Sequence, residues 1–367
     1  MLLDKYQCGL CRGPLREFDA EHLVCRSCNE PVSVHDGIID FVRGRFDTIL
    51  DAEHYDETHS IDDNRIDQNY REMKHTAGDR WPVTLGSVME VGCGTGLFSQ
   101  ALITSGETRD LVLTDVSVAM LSTCRNRLGR DDLLSRVPLS FATYSSQENC
   151  LRDAVFDTCA GTSVLHHIPD VRGFLAEVFR ILKPGGRAFF MEPNLRFHRA
   201  MMHTLADILA QLFARAPAYS LDRQKLLNLL AEGRRGMLHH GDIGFLSTLE
   251  DKHMFVAEEF EEMGLELGYA SASALPRGMH PTGAAIVSSL CGQLEIGDTV
   301  RREVIELLPA YCSTSGTCRR DSCCGWRKDS GRNSVSSTPR RRTRMLIFRR
   351  IIRPTSPAAW RRGGRLA

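Results

Sequence analysis

The sequence predicts an α/β chain: a doubly wound, mostly parallel sheet preceded by a small cysteine-rich module and interrupted late by a helical insertion. Three observations carry that reading. Two CxxC pairs lie within the first 28 residues. From Ser87 onward, short apolar runs alternate with helical patterns. The first of those runs, Val88-Met89-Glu90-Val91, breaks directly into a glycine turn, Gly92-Cys93-Gly94-Thr95-Gly96. With 367 residues, 42% hydrophobic and 25% charged, the chain has material for a sizeable core and is not disordered throughout.

Cys8-Gly9-Leu10-Cys11 and Cys25-Arg26-Ser27-Cys28 are separated by thirteen residues. Each CxxC turn puts two thiolates on one knuckle, and a hairpin joining two knuckles gathers four sulfurs in a tetrahedron. That set suits Zn²⁺ and, being closed, leaves no position open for chemistry. Gly13-Pro14 reads as a turn, and 21–24 as the strand returning to the second knuckle. The module spans 1–45, too little for a core of its own, so metal supplies part of its folding energy. His35 reads as a surface residue rather than a ligand. A redox CxxC would need only one pair, at a helix start. Thirteen cysteines, with no export pattern in Met1-Leu2-Leu3-Asp4-Lys5, read as reduced thiols in the cytoplasm.

Residues 46–80 are expected to form a helical linker that covers the core, and 81–195 the core itself. After the glycine turn, Leu97-Phe98-Ser99-Gln100-Ala101-Leu102 opens a helix. Glycines at such a turn let a ligand lie against bare backbone. Nineteen residues after Gly96, the run Leu111-Val112-Leu113-Thr114 ends in Asp115. A carboxylate at the tip of a second strand suits the two hydroxyls of a ribose. A fourth strand, 154–160, leads into Gly161-Thr162-Ser163-Val164-Leu165-His166-His167-Ile168-Pro169-Asp170. A helix over 171–182 follows, with Val171, Phe174, Leu175, Val178 and Ile181 at helical spacing. Lys183-Pro184-Gly185-Gly186 stops it before a strand from Arg187 to Glu192.

Taken together, VMEVGCGTG, LVLTDVS, FDTCAGTSVLHHIPD and ILKPGGRAFFMEPN resemble, in order and spacing, the motif set of class I S-adenosylmethionine-dependent methyltransferases. The stretch from Cys25 to Val42 resembles the zinc ribbons that precede such domains in bacterial enzymes. The resemblance implies a seven-stranded Rossmann-like sheet with S-adenosylmethionine across the carboxyl ends of its strands. It implies that Glu90, Gly92, Gly94 and Gly96 shape the methionine pocket and that Asp115 holds the ribose. Thr162 and Ser163 would sit beside the sulfonium. The family's acidic residue after the third strand, which meets the adenine amino group, is missing from Phe141-Ala142-Thr143-Tyr144-Ser145-Ser146-Gln147. Tyr144 or Ser145 is the substitute on offer.

His166 and His167 are the candidate bases, since histidine titrates near neutrality. The alternative is that one packs under the next helix and the other caps a carbonyl. The HHIPD form resembles quinone-biosynthesis and natural-product enzymes, which methylate oxygen or carbon of small molecules; it is unlike the NPPY-type motif of nucleobase- and glutamine-modifying members. Two further readings stand beside a small-molecule methyltransferase. An rRNA or tRNA base methyltransferase would present a basic zinc module, whereas 1–45 carries mixed charge. A non-catalytic binding protein of the same fold would fit a missing seventh strand.

The insertion spans 196–245. Phe197, Met201, Leu205, Ile208 and Leu212 make an apolar stripe, suited either to a lid over the acceptor or to packing on the sheet. A second helix follows over 221–231. His198, His203, His239 and His240 read as exposed or lid residues. Residues 246–311 complete the domain, with a helix over 258–264, a sixth strand over 265–269 and a helix over 299–308 that ends at Pro309. The last 56 residues carry 14 Arg and one Lys against two Asp, net +13, which leaves the first 311 at net −13. An acidic body argues against a broad nucleic-acid face, while the basic tail suits one. Cys312, Cys318, Cys323 and Cys324 lack paired knuckles for a second metal. The tail, 312–367, is expected to be disordered, the abrupt loss of pattern pointing to a changed reading frame; only Met345-Leu346-Ile347-Phe348 and Ile351-Ile352 have strand character. No stretch reaches the length of a membrane span.

Overall fold

The computed structural model describes residues 1–45, 67–193, 195–215, 220–238, 255–276, 295–314 and 343–350. In chain order the strands are β1 Leu15–Glu17, β2 His22–Cys25, β3 Pro31–His35, β4 Ile38–Asp40, β5 Gly86–Val91, β6 Thr108–Asp115, β7 Leu139–Thr143, β8 Phe156–Thr162, β9 Leu182–Pro193, β10 Tyr269–Pro276 and β11 Thr343–Arg350. The helices are α1 Gln68–Ala77, α2 Leu97–Thr104, α3 Val118–Arg130, α4 Val171–Ile181, α5 Leu195–Arg215, α6 Leu221–Leu238, α7 Ala257–Glu266 and α8 Asp298–Thr314. The eleven strands among the described residues join one sheet in the order β1-β2-β3-β4-β7-β6-β5-β8-β9-β11-β10.

Strand pairing from β4 to β9 is parallel, as crossover helices require. The chain winds outward from β5 through β6 to β7, then returns to β8 on the other side of β5. That reversal opens a crevice above the carboxyl ends of β5 and β8, where open α/β sheets hold ligands. The parallel strands are buried on both faces because side chains alternate. Met89, Val112, Ala142 and Phe190 face one core with Phe174, Val178 and Phe260. Val88, Leu111, Leu113 and Phe189 face another with Tyr70, Met73, Phe98 and Leu121. The linker's α1 supplies Tyr70 and Met73.

A seventh strand of the main sheet is present at 343–350, which corrects the expectation of disorder for that part of the 312–367 tail. β11 pairs antiparallel with β9 (Leu346 opposite Phe190) and with β10 (Leu346 opposite Ala274). Its run Met345-Leu346-Ile347-Phe348 is apolar on both sides because each face meets one of the two cores. A missing seventh strand therefore no longer argues for a changed reading frame or for a non-catalytic protein. Apart from 312–314 at the end of α8, the rest of the tail, with Cys318, Cys323, Cys324, Ile351 and Ile352, lies outside the described residues.

Some boundaries and contacts also differ. The sixth strand starts at Tyr269, since Leu265 and Glu266 belong to α7. The helix expected to stop at Pro309 runs on to Thr314. The described part of the α5 stripe packs against other helices, while the side chains of Phe197, His198 and Met201 lie outside the described residues. Met202, Leu205, Ile208, Leu209 and Leu212 form a third core with Leu226 of α6 and Val300, Val304 and Leu307 of α8. His203 is exposed, whereas His239 and His240 lie outside the described residues.

The cysteine-rich module is not a separate body. β4 pairs parallel with β7, Ile39 opposite Ala142, so the module's four strands extend the edge of the main sheet. Tyr6, Leu15, Leu23, Val34 and Phe41 accordingly share the core that holds Met89 and Phe174.

Candidate functional site

Gly92, Gly94 and Gly96 all adopt left-handed backbone, at φ 60°, 52° and 93°. Their surroundings differ. A Cβ on Gly92 would lie 2.4 Å from Val164 Cγ2, and one on Gly96 would lie 2.7 Å from Cys124 Sγ of α3. A Cβ on Gly94 would meet nothing within 4 Å. Gly92 and Gly96 therefore serve close packing, while Gly94 borders open space.

Two carboxylates, the half-buried Asp115 and the buried Glu90, flank that space. Gly94 N–H donates to Asp115 Oδ2 at 3.0 Å and Ser117 N–H donates to Asp115 Oδ1 at 3.1 Å. Burial pushes the Asp115 carboxyl up, and the N–H groups of Ser117 and Gly94 offset part of that rise. Glu90 is only 2% exposed. Burial pushes its carboxyl up to about 8; the Ser99 hydroxyl lowers it and the Asp115 charge raises it further. Glu90 Oε2 is buried without a hydrogen-bond partner. An orphaned carboxylate oxygen costs the fold unless a ligand completes it.

On the other side of the crevice, β8 ends at Thr162 and the chain turns through Ser163, which holds φ 54° and donates its N–H to Met191 O at 2.8 Å. Thr162 is half-buried and Ser163 exposed. His166 sits in the following turn, 8% exposed, with Nδ1 2.7 Å from Glu192 Oε2. Glu192 Oε1 accepts from the N–H groups of Val164 at 3.0 Å and Leu165 at 2.9 Å. With Nδ1–H donated to this carboxylate, Nε2 keeps the lone pair that a base needs. His167 is exposed, its ring centroid 4.0 Å from that of His166. Sequence reasoning missed Glu192. Its signal was a carboxylate at the carboxyl end of the fifth core strand, 26 residues from the histidine it holds.

Tyr144 is not brought into this crevice, contrary to expectation. Its side chain is buried in the core beside Phe174, with ring centroids 6.5 Å apart, because its position one residue past β7 points it at the face covered by α4. Ser145 is half-buried in the loop that follows.

At the other edge, Cys8, Cys11, Cys25 and Cys28 gather with all four Sγ atoms within 4.8 Å of one another. Individual separations are 3.7 Å for Cys8–Cys28, 3.4 Å for Cys11–Cys25 and 3.3 Å for Cys11–Cys28. Four sulfurs at about 2.3 Å from Zn²⁺ would lie roughly 3.8 Å apart, so the set fits a tetrahedral ion. Burial pushes the Cys25 thiol up, but the N–H groups of Cys28 and Ser27 and the Cys11 thiol bring it down to about 6. Purified protein is expected to carry about one zinc, lost in a Cys25→Ser/Cys28→Ser variant together with much of its thermal stability. Undiminished zinc in that variant, by metal analysis, contradicts the assignment.

Residues 89–190 match the family described as a methyltransferase domain, and the strand order with its antiparallel β11 agrees. This segment is a methyltransferase domain. Similar proteins include the demethylmenaquinone methyltransferase of Clavibacter sepedonicus, 31% identical over 151 residues, 41% of this chain and 57% of that protein. The malonyl-(acyl-carrier protein) O-methyltransferase 1 of Ilyobacter polytropus is 22% identical over 235 residues, 55% of this chain and 85% of that protein. The ubiquinone biosynthesis O-methyltransferase of Coxiella burnetii is 30% identical over 121 residues, 32% of this chain and 47% of that protein. The chain thus spans about half the length of the first and third. The methyltransferase domain's crevice also fits the cofactor on chemical grounds. S-adenosylmethionine carries an ammonium and a ribose diol, which match an orphaned Glu90 oxygen and the Asp115 carboxylate beside open space over Gly94.

Proposed function

We propose that this chain transfers a methyl group from S-adenosylmethionine to an oxygen or carbon of a small-molecule acceptor, with Zn²⁺ held structurally by Cys8, Cys11, Cys25 and Cys28 in a reducing, cytoplasmic setting. The observation that carries the reading is the unpartnered Glu90 Oε2 beside Asp115, against the open side of Gly94. The bound cofactor supplies an electrophilic methyl on a positively charged sulfur. The protein must add alignment and, where the acceptor carries a proton, a base. Glu90 takes the ammonium and Asp115 the ribose hydroxyls, while Thr162 and Ser163 border the reacting end. His166 takes the acceptor's proton at Nε2, and Glu192 holds the ring in the required tautomer and stabilises it once charged. Relatives named for demethylmenaquinone, ubiquinone biosynthesis and malonyl-acyl-carrier protein are consistent with a small acceptor. His167, exposed and with its ring tilted against that of His166, is the second candidate for contact with the acceptor.

Titration calorimetry with S-adenosylhomocysteine tests the reading without knowledge of the acceptor. Hydrogen bonds to a charged acceptor contribute about 1.5–3 kcal/mol each, so Asp115→Ala weakens binding by roughly tenfold or more. Gly94→Val weakens it further, because it fills the open space and strains a backbone at φ 52°. Wild-type protein that prefers NAD, or two variants that bind as tightly as wild type, would overturn the methyltransferase reading.

A further inference from the structure

The cysteine knuckle rests on the segment that leaves β7 beside the cofactor crevice. Gln7 N–H donates to Cys150 O at 2.8 Å, and Gln7 Nε2 donates to Asn149 O at 2.9 Å. Gly9, inside the first CxxC, lies so close that a Cβ there would stand 2.7 Å from Glu148 O. Arg45 ion-pairs with Glu148, and Arg152 N–H donates to Lys5 O at 2.9 Å. At its other end the same segment is tied to the site: Tyr144 N–H donates to Asp115 O at 2.8 Å, and the Tyr144 ring is sunk in the core. Residues 144–150 are thus strung between the candidate ribose carboxylate and the four-cysteine module.

Strand order says what lies over that loop. Glu90 and Gly94 stand at the tip of β5, Asp115 at the tip of β6, and the next strand outward is β7. An extended cofactor with its ammonium at Glu90 and its ribose at Asp115 has its base beyond the ribose, over the exit of β7. The loop offers Ser145, Ser146 and Gln147 there, with the Glu148 carboxylate drawn away to Arg45.

We propose that the four-cysteine module is the support of the cofactor's adenine end, with Gln7, Gly9 and Arg45 as positioning residues that act through the 145–150 loop. The inference rests on the cofactor reading above and goes beyond a purely structural role for the module. Its physical basis is that a short loop holds a base well only if its backbone is fixed in advance, and here the fixing contacts come from the module.

The test uses the full chain and two ligands, S-adenosylhomocysteine and S-ribosylhomocysteine, the second identical but for the missing adenine. A Gln7→Ala/Arg45→Ala variant is expected to keep its zinc, to bind S-adenosylhomocysteine about tenfold more weakly, and to bind S-ribosylhomocysteine as wild type does. Hydrogen exchange over 144–150 is expected to quicken while β5 and β6 stay protected. Arg45→Ala alone, at a half-exposed side chain, covers the case in which the double variant folds poorly, and Arg45→Lys is expected to restore affinity. Wild-type-like affinity for S-adenosylhomocysteine in the variants, unchanged exchange over the loop, or equal losses for both ligands overturns the proposal. Wild-type protein that binds neither ligand overturns the cofactor reading itself, and this one with it.

Discussion

Phe348→Ala is expected to destabilise the protein by about 3–5 kcal/mol, the usual cost of truncating a buried aromatic. Phe348 is 1% exposed, and its ring stands 5.0 Å from that of Tyr269 and 6.3 Å from that of Phe260. Gly264 of α7 packs so tightly on it that a Cβ there would come within 2.7 Å of the ring. The strand also supports the site, since β11 pairs with β9 past Glu192, which lies opposite Arg344. Urea unfolding of wild type, Phe348→Ala and Phe348→Leu is the measurement, with the leucine variant intermediate. A loss below about 1 kcal/mol for the alanine variant would mean that β11 does not sit in the core.

Glu90→Gln is expected to stabilise the ligand-free protein increasingly with pH while weakening cofactor binding. The Glu90 carboxyl is raised from 4.5 to about 8 in the fold, chiefly by burial. The folded state therefore holds this proton more tightly than the unfolded chain does. The resulting stability is complete below about pH 4.5, is progressively lost as pH rises, and is gone above about pH 8. The neutral glutamine has no such loss. At about 1.4 kcal/mol per pH unit, the variant should gain on the order of 5 kcal/mol over wild type by pH 9 and almost nothing at pH 4.5. With S-adenosylhomocysteine the order reverses, because an ammonium favours the ionised carboxylate that only wild type has. Binding near neutral pH should also release protons from wild type, seen as a dependence of the calorimetric heat on the buffer's ionisation enthalpy. A pH-independent stability difference between the two proteins would rule out Glu90 as the strained, ligand-completing group.

Much of this was readable because it is local. The glycine turn, the acid at each strand tip and the doubled CxxC depend on residues within a few positions of one another, and so do the periods that mark α2, α3 and α4. The two histidines at the end of β8 belong to the same class. Short-range pattern names residue types and the face they take, and that was enough to read the α/β class and the candidate residues at the carboxyl ends.

Pairing between distant segments was decided by the tertiary structure alone. Met345-Leu346-Ile347-Phe348 reads as a weak strand in an arginine-rich setting; only β9 and β10 on its two sides, with a core above and below, make it the seventh strand. Glu192 becomes the partner of His166 because β8 and β9 run parallel and bring their ends together. Tyr144 looked available for a ligand until α4 was packed over it. The cysteine module looked like a separate unit until β4 found β7. Sequence by itself therefore determined which groups the protein owns and the periodicity of the elements that carry them. The fold decided which groups meet, because strand partners, buried faces and orphaned carboxylates are set by long-range hydrogen bonding and desolvation, which no local window contains.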